Sequence, residues 1–244
     1  MNTIEPKSPE EFRKYYNLRY DILRKPWGQP LGSEWDEKDK TSISAFRDGI
    51  IFNLYNGILN NRLDELTKMA KPPFLHARSS KDSWIHSKQM YTLSAIVKTN
   101  GITVGMNALL IEILRIQKHG FTQTELDRQK IKYLRNIEKQ YNERDKTESE
   151  AFKWQYKDHF LEGESIPSID YVFDKVKKIL PTIGLDDVNQ LSSDLISDKN
   201  RVIAVNSPEN EDVIIPEEED LKNVIEKVLT LDIEPYIDAV SDEP

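Results

Sequence analysis

Apolar residues recur at helical spacing through Ile43, Phe46, Ile50, Leu54, Ile58 (with Leu59), Leu63 and Leu66, and this stripe constrains the chain more than any other feature. It specifies one long amphipathic helix whose apolar face must be covered by other elements. The helix opens after Ser42, runs to about Ala70 and stops before Pro72-Pro73, because proline disfavours helix in the residue preceding it. Two strand-like runs follow. Residues 74–81 are mostly polar, whereas residues 89–98 alternate, with Tyr91, Leu93, Ala95 and Val97 on one side. The polar stretch Lys81-Asp82-Ser83 is the expected turn between them.

The remainder reads as helical. Residues 101–119 carry Ile102, Met106, Leu109, Leu110 and Ile113 and end at Gly120, a helix-terminating glycine. Thr122 with Glu125 forms a capping box that opens a helix over 123–145. Thr147 with Glu150 forms another, opening a helix that carries Phe152, Tyr156 and Phe160 and ends at Gly163. Helices over 170–179 and 185–196 are separated by Pro181, and residues 201–206 (Arg-Val-Ile-Ala-Val-Asn) read as a strand. Pro216 begins a last helix at its first position, followed by acids that complement the helix dipole. The fold class is α+β, helix-rich, with a small, mostly antiparallel sheet that lacks strands. Three regions are expected: residues 1–41 as an N-terminal segment and linker, residues 42–229 as the main domain, and residues 230–244 as a loosely held acidic tail.

Composition excludes several functions. The chain has no cysteine, which removes disulfides, thiol nucleophiles and cysteine-rich zinc sites. A net charge of −8 argues against a nucleic-acid surface. No apolar run reaches membrane-spanning length, so no membrane association is expected. The first residues lack the apolar core of a signal peptide, which predicts a cytoplasmic protein as the sequence stands.

Each chemically suggestive cluster has an ordinary explanation. His76 and His86 flank the expected turn, but zinc needs three or more protein ligands, and they read as surface or strand histidines. Lys130, Lys132, Arg135 and Lys139 form a basic helix face, yet Glu125, Asp127, Glu138 and Glu143 interleave with them, as on a solvated, salt-bridged surface. Arg144-Asp145-Lys146-Thr147 reads as a helix junction capped by Thr147. Phe152, Trp154, Tyr156 and Phe160 read as core rather than as a peptide grip. No catalytic, cofactor-binding or metal-binding residue is assigned.

Two resemblances qualify this reading. The string from Leu18 to Glu34 resembles the opening strand and helix of small GNAT-type acetyltransferases, over about a sixth of the chain. That family binds acetyl-CoA pyrophosphate through a glycine-bearing turn, and the nearest string here, Gln117 to Thr122, departs from the pattern at its last position. An ordered set of strings over the rest resembles a non-catalytic second domain of the insulinase/pitrilysin family of zinc peptidases. The set comprises residues 54–66, 71–75, 119–126, 143–149, 159–167, 180–189, 200–202 and 234–236. The resemblance implies a scaffold and substrate-chamber domain that is inactive alone, with zinc in the first domain of the parent enzyme. A zinc-bearing domain or chain is the implied partner, unfolded peptides are weak ligands, and a periplasmic parent enzyme is compatible with the resemblance. The zinc helix motif His-x-x-Glu-His is absent around His76, His86, His119 and His159, so no ligand is carried over. The alternatives are a hybrid or truncated reading frame without independent function and, less favoured, an acetyltransferase.

Overall fold

The computed structural model describes residues 43–85, 88–146, 149–162, 166–195 and 201–238, together with Glu10 and Lys14. It divides into two compact units, one comprising Met1–Phe46 and Lys146–Ser168, the other Arg47–Asp145 and Ile169–Pro244. The class is α+β and helix-rich, with a two-stranded antiparallel sheet among the described residues.

Helix α1 (Ile43–Thr67) is the expected long helix. Ile50, Ile51, Leu54, Tyr55, Ile58, Leu59 and Leu63 are buried along it, a stripe two side chains wide that makes it the central element of the larger unit. Strands β1 (His76–Ile85) and β2 (Lys88–Ile96) form a hairpin in which His76 pairs with Ile96 and Ser83 with Gln89. The alternation on β2 holds: Tyr91, Leu93, Ala95 and Val97 are half-buried, while Met90, Ser94 and Ile96 are exposed. The Tyr91 ring meets Phe52 and Tyr55 edge-on at 6.2 and 6.3 Å, seating this face on α1.

The turn expected at Lys81-Asp82-Ser83 is not there. These residues pair with Tyr91, Met90 and Gln89 inside the hairpin, and β1 continues to Ile85. Polar composition alone therefore does not mark a change of direction here. Lys81 spends its stem and charge over the Phe52 ring, 5.2 Å from the centroid.

Helices α2 (Ile102–His119) and α3 (Gln123–Asn142) meet at Gly120 and Thr122. The Thr122–Glu125 capping box forms as expected. Gly120 has φ 71°, and a Cβ there would lie 2.6 Å from the Asn189 amide, so both backbone and space require glycine. Asn189 in turn accepts the Phe121 N–H at 2.8 Å. A single 3₁₀ turn, Arg144–Lys146, follows α3, with Arg144 donating to the Tyr141 carbonyl and stacked on its ring.

The smaller unit contains α4 (Ser149–Glu162). Here the aromatic set departs from expectation: Phe152, Tyr156 and Phe160 are exposed, and among the described side chains of this helix His159 is buried. Their regular spacing gives them one common face, but spacing cannot say which face turns inward. The side chain of Trp154, the Thr147–Glu150 box, His86 and nearly all of residues 1–41 lie outside the described residues.

In the larger unit, α5 (Ile169–Ile179) packs on α3, and a 3₁₀ turn at Leu180–Thr182 leads to α6 (Leu185–Leu195), which packs on α2. Arg47 donates to the Asp187 carboxylate at 2.7 Å, tying α1 to the start of α6. Residues 201–206 form no strand: Val202 is 88% exposed, and no described backbone offers a ladder partner. Alternating apolar residues satisfy only half of what a strand needs, since each N–H and C=O also requires a neighbour. Helix α7 (Glu218–Leu229) is capped at Glu217, whose N–H donates to Asp220, so Pro216 precedes the cap instead of opening the helix.

The acidic tail is not loose over its described part. Ile233 is buried, and residues 231–238 are fastened along their length to α1, α2 and α3.

Candidate functional site

A charged knot sits where α1, α2 and α3 converge. Arg62 lies between Leu59 and Leu63 on the buried side of α1 and is 2% exposed. A guanidinium taken from water must find partners for its five donors. Its Nε and one terminal nitrogen donate to the two oxygens of Glu125 at 2.6 and 2.8 Å, a bidentate pair. The other terminal nitrogen donates to Glu112 at 3.1 Å, and a further bond reaches the Gly120 carbonyl at 3.3 Å. The second Glu112 oxygen accepts from Arg115. Burial works to lower the Arg62 pKa, but the hydrogen bond and charge of Glu125, with Glu112 behind it, outweigh burial and raise it.

Local sequence explains each position. Glu125 stands three residues after the α3 cap, where its carboxylate also accepts the Thr122 N–H at 2.8 Å. Glu112 is a lone acid in an apolar run from Leu109 to Leu114. Aromatic rings close both faces of the guanidinium, Phe121 at 5.0 Å and Tyr236 at 4.1 Å. The Tyr236 hydroxyl donates to Glu65 at 2.7 Å, and burial, followed by that acidic neighbour, raises its pKa. Both carboxylates of the knot are engaged by arginine, and the guanidinium makes four hydrogen bonds from its five donors.

Glu125 therefore does not belong to the solvated acids of α3. Of the basic residues on that helix, Lys130 donates to the Ile183 carbonyl and Lys132 to Asn61. These bonds make them part of the packing of the larger unit.

A second feature is an open pocket of about 270 Å³ lined by Asn60, Asp64, Thr67, His76, Ala77 and Arg78. Its inner wall is polar backbone held by a side chain. Asn60 accepts the Ser79 N–H at 2.7 Å and donates to the Ser79 carbonyl at 3.1 Å, occupying both groups as a neighbouring strand would. Ser79 also donates through its hydroxyl to Asn56 at 2.6 Å. Nearby, the buried Tyr55 and Tyr91 hydroxyls have each other and the Ser79 hydroxyl as neighbours, but no well-aligned hydrogen bond among the described residues. Burial raises both pKa values, that of Tyr91 to about 12.

The described histidines are dispersed. His76 starts β1, His119 ends α2 and donates through Nε2 to the Ile233 carbonyl at 2.6 Å, and His159 lies on α4. Among the described residues no group of three or more histidine, aspartate or glutamate side chains is placed to hold a metal ion. The residues present thus do not fit a zinc site, and no chemical step is derived through one.

The fold defines a helix-rich α+β domain built on one central helix and a hairpin. No family profile matches the chain. A zinc protease PQQL-like protein of Arabidopsis thaliana is 25% identical over 199 residues, covering 82% of this chain and 18% of that protein. The periplasmic protease PqqL of Escherichia coli superposes with a TM-score of 0.68 at 12% identity, over 83% of this chain and 23% of that one. A structure of the first half of PqqL gives 0.65 at 13% identity, over 80% of this chain and 42% of that one. A predicted insulinase family protease of Yersinia pestis gives 0.59 at 11%, over 77% of this chain and 40% of that one. The chain shares its fold with insulinase-family proteases and is similar in sequence to a zinc protease PQQL-like protein, of whose length it spans less than a fifth.

Proposed function

We propose that residues 42–229 act as a non-catalytic scaffold and substrate-chamber domain of an insulinase-type zinc metallopeptidase, inactive alone and working beside a zinc-bearing domain or chain. Residues 1–41 are read separately, as an acetyltransferase-like N-terminal segment and linker. The observation that carries the proposal is the pairing of protease similarity with a chain whose deeply buried ionic cluster, among the described residues, is engaged in packing. An insulinase-type cutting site needs a metal-activated water and a free carboxylate base, whereas Glu112 and Glu125 are each held by arginine.

The test is hydrolysis of a fluorogenic unfolded peptide by the purified chain with added zinc, alone and mixed with a separately produced zinc-bearing insulinase-type domain. No hydrolysis is expected from the chain alone, and a gain over the zinc-bearing domain by itself is expected from the mixture. Chelator-sensitive hydrolysis by the chain alone would overturn the reading.

A further inference from the structure

Residues 231–238 (Leu-Asp-Ile-Glu-Pro-Tyr-Ile-Asp) lie in a groove whose chemistry is that of a peptide receptor. Three side chains in the last turns of α2 capture the segment by its backbone. Lys118 donates to the Leu231 carbonyl at 2.9 Å, His119 to that of Ile233 at 2.6 Å, and Arg115 to that of Glu234 at 3.1 Å. Capture through carbonyls is indifferent to side chain, so register must be read elsewhere. Three side chains supply it. Ile233 is buried, Tyr236 covers the Arg62 guanidinium while its hydroxyl donates to Glu65, and Asp238 accepts a bidentate pair from Arg128 at 2.7 and 3.0 Å with a further bond from Thr124. Between these anchors the segment faces water, with Ile237 83% exposed. An extended backbone held by carbonyls and read at positions i, i+3 and i+5 is how a groove recognises a short linear motif.

We propose that this groove is a binding site for extended acidic peptides of the pattern Ile-x-x-Tyr-x-Asp supplied by another polypeptide, and that residues 231–238 are its resident intramolecular competitor. Charge complementarity sets the ligand class. The rim carries Lys118, Arg128 and Arg115, the last also paired with Glu112, the resident segment carries Asp232, Glu234 and Asp238, and of the acids around the tyrosine Glu65 accepts its hydroxyl hydrogen bond. A tethered occupant acts at an effective concentration in the range of about 1 mM, so an external peptide gains access when the resident anchors are weakened or the peptide is abundant. The proposal goes beyond the protease reading and does not depend on it.

The test uses the full chain carrying Tyr236→Ala and Asp238→Ala, which weaken the resident segment, and a fluorescein-labelled peptide of sequence 231–238. Anisotropy is expected to show saturable binding at least tenfold tighter than to the unaltered chain, lost when the peptide carries alanine at its tyrosine and aspartate, and weakened at least tenfold by Arg128→Ala in the acceptor. Equal binding of intact and substituted peptides, or no binding up to millimolar chain, overturns the proposal. Self-association of the unaltered chain that the peptide reverses would give the groove to a second copy and also overturns it. Should the double variant not fold, a nitroxide on Ile237→Cys in the otherwise cysteine-free chain reads the same competition. Excess intact peptide must sharpen the spectrum and the substituted peptide must not; an unchanged spectrum overturns the proposal.

Discussion

Arg62 shows how one residue can organise three helices. Its charge is covered by two rings and bonded to two carboxylates and a carbonyl. Removing one member of such a buried set strands the others: Arg62→Met leaves Glu125 and Glu112 buried and is expected to cost about 3–5 kcal/mol. Chemical denaturation of the variant measures this, and a loss below about 1 kcal/mol would show that water reaches the knot. A smaller effect is expected at the buried tyrosines. Tyr91→Phe removes a buried hydroxyl whose neighbours, Tyr55 and Ser79, bond it only in poor geometry, so stability should change by less than about 1 kcal/mol. Tyr91 also sets a pH limit. Its folded pKa is raised to about 12 by burial, above the unfolded value near 10, so its contribution is complete below about pH 10 and declines as pH climbs towards 12. Thermal melts between pH 9 and 12 should fall more steeply for the unaltered chain than for Tyr91→Phe.

At the scale of elements, periodicity and caps reported faithfully where one side of an element meets solvent. The α1 stripe, the β2 alternation and the Thr122–Glu125 box all stand as the sequence implies. Errors fell where an element's state depends on something distant in sequence. Residues 201–206 have a strand's composition and no described neighbour, and the α4 aromatics have a face but no sequence mark of its direction. The charged knot left a faint trace, a lone Glu112 in an apolar run and Arg62 between two leucines, but pairing partners 50 and 63 residues apart cannot be assigned from one chain. The tail reads as loosely held because it is acidic; half of what fastens it is backbone carbonyls, which no residue identity reveals. Hydrogen exchange tests this contrast. The amides of α1 from Ile50 to Leu63 should be protected and those of 201–206 should exchange close to the unfolded rate, because protection follows hydrogen bonding and burial. Protection across 201–206 would mean that a strand partner forms in solution.

At the scale of the molecule, protease kinship and local chemistry lead to different expectations for metal. The Arabidopsis relative is named a zinc protease, and a chain that held zinc only in its native state would melt at higher temperature when zinc is added. A ligand at a hundredfold its Kd adds about 2.7 kcal/mol, which is several degrees for a domain of this size. The His-x-x-Glu-His pattern is missing from the sequence, and the described histidines occupy three separate elements. We therefore expect the melting temperature of the chain to be unchanged, within about one degree, by micromolar zinc or by chelator. A shift of several degrees reversed by chelator would contradict the assignment of zinc to another domain, whatever the peptide assay gave. The melt and the assay fail separately: a zinc-stabilised chain without hydrolysis would be a metal-holding scaffold, whereas hydrolysis without zinc stabilisation would place the cutting chemistry outside the family's metal mechanism.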